Sequence, residues 1–184
     1  MDTSKRLHSD RERHYPNLFA DGYEVTSKET VDYTRPVYNC IAFAAGDEGQ
    51  WWWPDEHGES YWPIDERSIH RSSFIEAFKT LGYELCSHGE LEVKYEKVAF
   101  YEKDGKPTHA ARQTTLGTWK SKLGEWEDIE HRTVKGVQTV NRIGRYGEAT
   151  IYMRRLRKCE NQNQPTRFLS RLLARFKKLL SVCS

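Results

Sequence analysis

The stretch Tyr38-Asn39-Cys40-Ile41-Ala42-Phe43-Ala44-Ala45-Gly46 places one cysteine after a short polar lead-in and ahead of small and apolar residues. It predicts a short helix that begins near Cys40 and ends at Gly46, because glycine readily adopts the left-handed conformation that closes a helix. The first N–H groups of a helix have no partner within it and favour a thiolate over a thiol. The stretch is therefore typical of an activated cysteine nucleophile, and also of a small cysteine buried in a core helix.

The rest of the chain predicts helices first and strands afterwards. Residues 68–82 predict a second helix, because their apolar side chains lie close to one face. Residues 23–26 predict a short extended segment, and residues 128–131 predict a short helix or turn. The strands expected between turns are residues 94–101, 108–113, 118–124 and 148–155. The sequence thus predicts an α+β domain in which N-terminal helices pack on an antiparallel β-meander.

The chain of 184 residues suits one domain with a further segment at either end. Residues 1–15 alternate in charge and predict a mobile arm, which leaves residues 16–157 as the domain. Residues 158–184 predict a polar linker and a basic amphipathic tail helix with Thr166 as its N-cap. The apolar face of that helix, within residues 166–182, would pack on the domain, on a second copy or on a protein partner, or lie on an anionic membrane surface.

Composition argues against several classes of protein. A formal net charge of +2 is too small to predict nucleic-acid binding. No C-x-x-C pair occurs among the widely spaced cysteines, so neither a metal site, a cofactor nor a disulfide framework is predicted. The first 14 residues do not resemble a signal peptide, and no apolar run approaches the roughly 20 residues that cross a bilayer. We therefore expect a cytoplasmic protein, with export as an effector as the alternative.

Residues 47–66 predict a long loop held together by aromatic side chains, because they combine turn-forming glycine and proline with four tryptophans. Trp51, Trp52, Trp53 and Trp62 are too large and apolar to be left in water without a reason. They predict either aromatic plugs over the core or a substrate-binding wall beside Cys40.

A thiol nucleophile needs a general base, and His109 is the candidate with the most suitable setting. It opens a predicted strand after a Lys-Pro-Thr turn, and Ala110 and Ala111 leave space around its ring. A helix start and a strand of the following sheet can hold a cysteine and a histidine at hydrogen-bond distance. The alternative is an ordinary strand histidine bound to a backbone carbonyl.

A third polar group would orient the imidazole ring. Ser121 on the next predicted strand is the expected partner, and Asp128 and Gln113 are the alternatives. The oxyanion of an acyl intermediate would be held by the backbone N–H of the cysteine, with a side-chain donor from Asn39 or Tyr38.

These motifs resemble two groups of proteins. Residues 38–43 resemble the start of the nucleophile helix in NlpC/P60 and CHAP amidases, which are papain-like, and residues 108–112 are similar to their histidine strand. The fuller pattern, across residues 15–155, resembles a family of uncharacterised bacterial domains. Its pieces include Tyr-Asn-Cys-Ile-Ala, Trp-Trp-Trp-Pro, Thr-His-Ala-Ala-Arg-Gln and Ser-Lys-Leu-Gly. The chain departs from NlpC/P60 members at Ile41-Ala42, where they have Ser-Gly, and at Ser121, where they have His, Asn, Gln or an acid.

The residues and the resemblance together imply a papain-like cysteine peptidase or amidase acting on a peptide or protein substrate. It would cleave a peptide or isopeptide amide through a thioester on Cys40, with His109 as general base and Ser121 or Asp128 orienting its ring. The alternative is a non-catalytic binding module, in which the aromatic loop recognises a ligand and the tail helix docks on a partner or a membrane.

Overall fold

The computed structural model describes residues 13–27 and 37–158. Within these ranges the chain forms three short α-helices, one 3-10 helix at Val134–Val137 and seven β-strands. The α-helices are α1 (Asn17–Asp21), α2 (Cys40–Ala45) and α3 (Arg71–Lys79). The strands are β1 (Tyr23–Val25), β2 (Glu84–Cys86), β3 (Tyr95–Lys103), β4 (Lys106–Gln113), β5 (Trp119–Lys122), β6 (Asp128–His131) and β7 (Glu148–Leu156).

All seven strands belong to one antiparallel sheet in the order β1-β6-β5-β4-β3-β7-β2. The long strand β3 pairs with β4 on one side and with β7 on the other, so these three strands form the centre of the sheet. The two edge strands, β1 and β2, have only three residues each. Short edges of this kind offer little template for pairing with another chain.

The two faces of the sheet carry separate apolar clusters. Residues directly opposite each other on paired strands point to the same face, as Phe100 and Ala110 do, and as Tyr101 and His109 do. Phe100 and Ala110 belong to the cluster that includes α2, α3 and part of the aromatic loop. Tyr101 belongs to the other cluster, which includes Tyr15. The ring of His109 therefore projects from the face opposite to the one that α2 covers.

The predicted α+β, papain-like fold with N-terminal helices on a β-meander is wrong. The described residues form mainly one seven-stranded antiparallel sheet, and their α-helices are only five, six and nine residues long. The second predicted helix begins at Arg71 rather than at residue 68, and residues 128–131 form strand β6 instead of a helix or turn. The extended segment predicted at residues 23–26 is strand β1. Strands β2 and β6, of three and four residues, have few alternating positions, and the sequence pattern did not reveal them.

Helix α2 forms where the sequence places its capping residues. Asn39 is the N-cap, and its Oδ1 accepts a hydrogen bond from the N–H of Ala42 at 3.0 Å. Gly46 closes the helix with a φ of 87°, and its N–H donates to the carbonyl groups of Ala42 and Phe43. All six helical residues are buried, so a helix too short to be stable alone is held by packing.

Replacing Asn39 with alanine is expected to lower the free energy of unfolding by about 2–3 kcal/mol. The substitution removes the helix cap and also the bond that the buried Asn39 Nδ2 donates to the carbonyl of Trp52 at 2.7 Å. Urea denaturation of the two proteins measures the difference. Asn17→Ala is the control, because it removes one exposed bond to the Lys135 carbonyl and should cost less than about 1 kcal/mol. Equal losses in both variants would contradict the double role of Asn39.

Within residues 13–27 and 37–158, none of the helices has the length and apolar character that crossing a membrane requires. The predicted arm lies almost wholly outside the described residues, as does nearly all of the predicted linker and tail. The expected tail helix at residues 166–182 and its docking therefore stay predictions.

Candidate functional site

Cys40 is the first residue of α2, and only 6% of it is exposed. Burial raises the pKa of its thiol to about 11, while the backbone N–H groups of Ala110, Ile41 and Cys40 itself act in the opposite direction. The partial positive charge at the start of this short helix is therefore outweighed by desolvation. In the structure Cys40 is a neutral thiol at physiological pH.

The sulfur of Cys40 lies beside strand β4, next to the residue that follows His109. The backbone N–H of Ala110 lies close enough to the sulfur to lower the pKa of the thiol. Strand β4 pairs with β5 only from Ala111 onward, so the backbone of Ala110 lies just beyond the end of that pairing. The thiol thus approaches the sheet at a gap between two strands, beside the peptide group that joins His109 to Ala110.

A pair of buried tyrosines connects the surroundings of the thiol and the imidazole. The Tyr15 hydroxyl donates to the Tyr146 hydroxyl at 3.0 Å. Burial raises the pKa of both tyrosines, and the charge that Cys40 would carry as a thiolate raises both further. The ring of Tyr146 also stacks on His109, with 3.9 Å between ring centroids and 11° between planes. One tyrosine ring therefore borders the histidine and lies within electrostatic range of the cysteine.

His109 is fully buried. The edge of the Tyr101 ring lies against it at a centroid distance of 5.2 Å, and its Nε2 lies 3.1 Å from the Ser121 hydroxyl. Burial lowers the pKa of His109 well below its ordinary value, and the nearby His131 lowers it further. The imidazole is consequently neutral at physiological pH.

The Ser121 hydroxyl continues the chain of hydrogen bonds to a second buried histidine. Its Oγ lies 2.9 Å from Nε2 of His131, and Nδ1 of His131 lies 2.7 Å from the carbonyl oxygen of Thr133. Burial lowers the pKa of His131 to about 4, although the bond to Thr133 acts in the opposite direction. His131 is therefore neutral as well and carries one proton on one of its two nitrogens.

The carbonyl at the end of this chain assigns every proton along it. A carbonyl oxygen only accepts, so Nδ1 of His131 carries the proton and its Nε2 accepts from Ser121. Because the Ser121 hydroxyl donates its single proton there, its oxygen accepts from Nε2 of His109. The remaining nitrogen of His109, Nδ1, then carries no proton, and its lone pair is free to accept one. It is buried and has no hydrogen-bond partner among the described residues.

The other two candidates for orienting the ring have different partners. Asp128 accepts a hydrogen bond from the Tyr38 hydroxyl at 2.7 Å and lies 3.8 Å from the ammonium group of Lys122. Gln113 donates to the carbonyl of Gly89 at 2.7 Å. Of the three candidates, the structure thus brings only the Ser121 hydroxyl to the imidazole of His109.

The residues predicted to bind substrate are divided between core and surface. Trp52 and Trp62 are 4% and 5% exposed and belong to the apolar cluster under α2 and α3, so their rings have almost no surface left for a ligand. Trp51 and Trp53 are half-buried, and Trp53 packs on the core from outside. The side chain of Asn39 is 3% exposed and is held by two hydrogen bonds, so only the second N–H of its Nδ2 is left as a donor for an oxyanion.

His131 is the residue that sequence reasoning missed. The prediction of a helix or turn at residues 128–131 hid the alternation of Ile129 and His131, which points both side chains to the face that carries Ser121. Assigning this segment as a strand would have revealed the second histidine. Among the described residues, no three His, Cys, Asp or Glu side chains are grouped to hold a metal ion.

Comparison with known proteins identifies a family without an assigned activity. The family described as Domain of unknown function (DUF7689) matches residues 24–154, which is most of the chain and includes Cys40, His109, Ser121 and His131. The chain belongs to this family. No curated protein and no solved structure matches it.

Proposed function

We propose that this member of the DUF7689 family is a thiol hydrolase that cleaves an amide bond of a peptide or protein substrate, with Cys40 as nucleophile and His109 as general base. The observation that supports it best is the bare Nδ1 of His109. Leaving a buried nitrogen without a hydrogen bond costs free energy, and natural proteins seldom do so without a use for the atom. A lone pair held in one orientation is what a general base requires.

The reaction begins from a neutral thiol. As the Cys40 sulfur attacks the amide carbon, its proton passes to Nδ1 of His109 through the gap between β4 and β5 beside the Ala110 peptide group. An S–C bond forms while the carbonyl becomes an oxyanion. The backbone N–H groups of Cys40 and Ile41, which lower the pKa of the thiol, are the donors that we propose for that oxyanion. Collapse of the intermediate breaks the C–N bond, and the Nδ1 proton leaves with the amine. Water then attacks the thioester with the same nitrogen as base, which releases the carboxylic acid and restores the thiol.

The hydrogen-bonded chain supports this role of His109 in two ways. It keeps the proton of the resting imidazole on Nε2, so that Nδ1 is free to accept. When Nδ1 takes the thiol proton, the His109 ring becomes a cation and donates a hydrogen bond from Nε2 to the Ser121 oxygen. Ser121 donates its own proton to His131, so its oxygen is already oriented to accept, and this stabilises the positive charge. Ser121 and His131 are thus positioning residues that act through His109.

Acyl transfer from p-nitrophenyl acetate tests the proposal with a probe small enough for a buried thiol. We expect an acetyl group on Cys40, detected by mass spectrometry of the tryptic peptide, and a burst of p-nitrophenol that Cys40→Ala abolishes. His109→Gln should slow acetylation by about 100-fold or more, because it removes the base. Ser121→Ala retains His109 but no longer keeps its proton on Nε2. It should therefore slow acetylation less than His109→Gln does and alter the pH profile of the reaction.

Cys86→Ala is the matched control, because Cys86 is a second described thiol, half-buried and remote in sequence from His109. It should leave the burst unchanged. Circular dichroism of each variant shows that the sheet is retained. Acetylation of Cys86 as fast as of Cys40, or a folded His109→Gln protein with an undiminished burst, would overturn the proposed function.

A further inference from the structure

A pocket of about 350 Å³ lies on the face of the sheet that α2 covers, between that helix and strands β4, β5 and β6. Its volume falls in the range of small-molecule sites. Two aromatic side chains of the cysteine stretch, Tyr38 and Phe43, form part of its wall, and charged groups of both signs form most of the rest. The lining residues are Thr26, Tyr38, Phe43, Glu48, Arg112, Lys120 and Asp128.

Arg112 brings an unpaired guanidinium group to this pocket. Within the described residues it makes no hydrogen bond or ion pair, and its carbon lies over the ring of Phe43 at 5.5 Å. Gly46 allows this placement, because a Cβ there would lie 3.2 Å from the Arg112 Nη1. Other arginines of the sheet, Arg154 and Arg155, are paired with glutamates. The five N–H donors of the planar Arg112 guanidinium group are unused within the described residues, and two of them can bind the two oxygens of a carboxylate in parallel.

Asp128 brings the opposite charge and also has an unused atom. Its Oδ2 accepts from the Tyr38 hydroxyl at 2.7 Å, but its Oδ1 is buried and receives no hydrogen bond from residues 13–27 or 37–158. The Nζ of Lys122, which forms an ion pair with Asp128, lies 3.8 Å from Oδ1, which is too far for a hydrogen bond. The side chain of Asp128 is 13% exposed, so solvent can supply little of the missing hydrogen bonding.

We infer that this pocket binds an amino-acid head group, with its carboxylate on the Arg112 guanidinium and its ammonium on Asp128 Oδ1. A simple anion in the pocket would be repelled by Glu48 and Asp128. A simple amine would be repelled by Arg112 and Lys120. A group that carries both charges satisfies the free donors and the free acceptor together and leaves no like charges opposed.

The pocket adjoins the proposed nucleophile. Tyr38 and Phe43 flank Cys40 in the sequence, and Lys122, the ion-pair partner of Asp128, lies close enough to act electrostatically on the Cys40 thiol. The inference rests on the proposed function in one respect, namely that the head group belongs to the substrate cleaved at Cys40. The amide to be cleaved would then lie near an amino acid whose carboxylate and amino groups are both free.

The test is a titration of the full chain with L-alanine, followed by backbone amide shifts in ¹H–¹⁵N NMR spectra. Propionate and ethylamine serve as the two half-ligands. We expect shifts at Phe43 and Arg112, and an affinity for L-alanine at least about tenfold higher than for either half-ligand. Arg112→Gln should weaken alanine binding about tenfold or more. Asp128→Asn should reduce alanine to the affinity of propionate.

Arg142→Gln is the matched control, because it makes the same change of charge on an exposed loop outside the pocket. It should leave the affinity unchanged. Alanine binding no tighter than propionate binding, or equal binding by Arg112→Gln, overturns the inference. Cys40→Ala separates the two proposals, since it should bind alanine normally and lose acetylation. Failure of alanine binding with acetylation intact rejects only the pocket, whereas alanine binding without acetylation of Cys40 rejects the hydrolase.

Discussion

Replacement of Gly147 with alanine is expected to prevent the domain from folding at 25 °C. A Cβ at this position would lie 1.8 Å from the carbonyl oxygen of Glu102 and 2.4 Å from its carbonyl carbon. Both are backbone atoms of strand β3 and cannot rotate away, so the loop and the strand would have to separate. We expect a loss of more than about 4 kcal/mol, which is close to the whole stability of a small domain. The adjacent Tyr146 would lose its stacked position on His109.

Gly105→Ala is a closely matched control for this effect. Gly105 has a φ of 74° against 77° for Gly147, but no atom of the described part of the chain lies within 4 Å of its added Cβ. Its cost should be limited to the left-handed backbone, about 1–2 kcal/mol. Soluble yield, circular dichroism and urea denaturation of both variants measure the difference. A folded Gly147→Ala protein with the stability of Gly105→Ala would show that the contact with Glu102 is not rigid.

Part of the fold was predictable because long strands show their alternation. The predicted strands at residues 94–101, 108–113, 118–124 and 148–155 correspond to β3, β4, β5 and β7. The sheet order was not predictable, since β7 lies between β3 and β2 through pairings that are remote in the sequence. These long-range pairings join all seven strands into one sheet, which dominates the described residues. Because the sequence pattern does not show them, the predicted fold class was wrong.

The candidate site was predictable where it depends on local geometry. Ser121 follows His109 by one turn and one strand, so a neighbouring position could be expected, and the structure gives 3.1 Å between their side chains. The tautomer of His109 could not be expected, because it depends on His131 and on the carbonyl of Thr133. The pKa of Cys40 also required the structure, since burial outweighs the helix N-terminus and raises it to about 11.

Acidification from pH 7.5 to pH 5 is expected to lower the free energy of unfolding by about 4 kcal/mol through His109 and His131 alone. Burial depresses the pKa of both, to about 4 for His131 and well below the ordinary value for His109. The folded protein therefore keeps both rings neutral, while the unfolded chain takes up two protons as the pH falls through about 6.5. Each histidine accounts for about 2 kcal/mol, and the loss through His131 continues down to its folded pKa.

Urea denaturation at pH 7.5, 6.5, 5.5 and 5 measures this dependence. His131→Gln should roughly halve the loss, because one of the two histidines with a depressed pKa is gone. A pH dependence that is the same in wild type and His131→Gln would mean that His131 is protonated in the folded protein. The hydrogen-bond chain would then no longer assign the proton of His109 to Nε2.

The depressed pKa of His109 also makes a kinetic prediction, because a neutral His109 remains a base below pH 6.5. The acid limb of Cys40 acetylation should therefore lie below the ordinary histidine pKa, limited by unfolding rather than by protonation of the base.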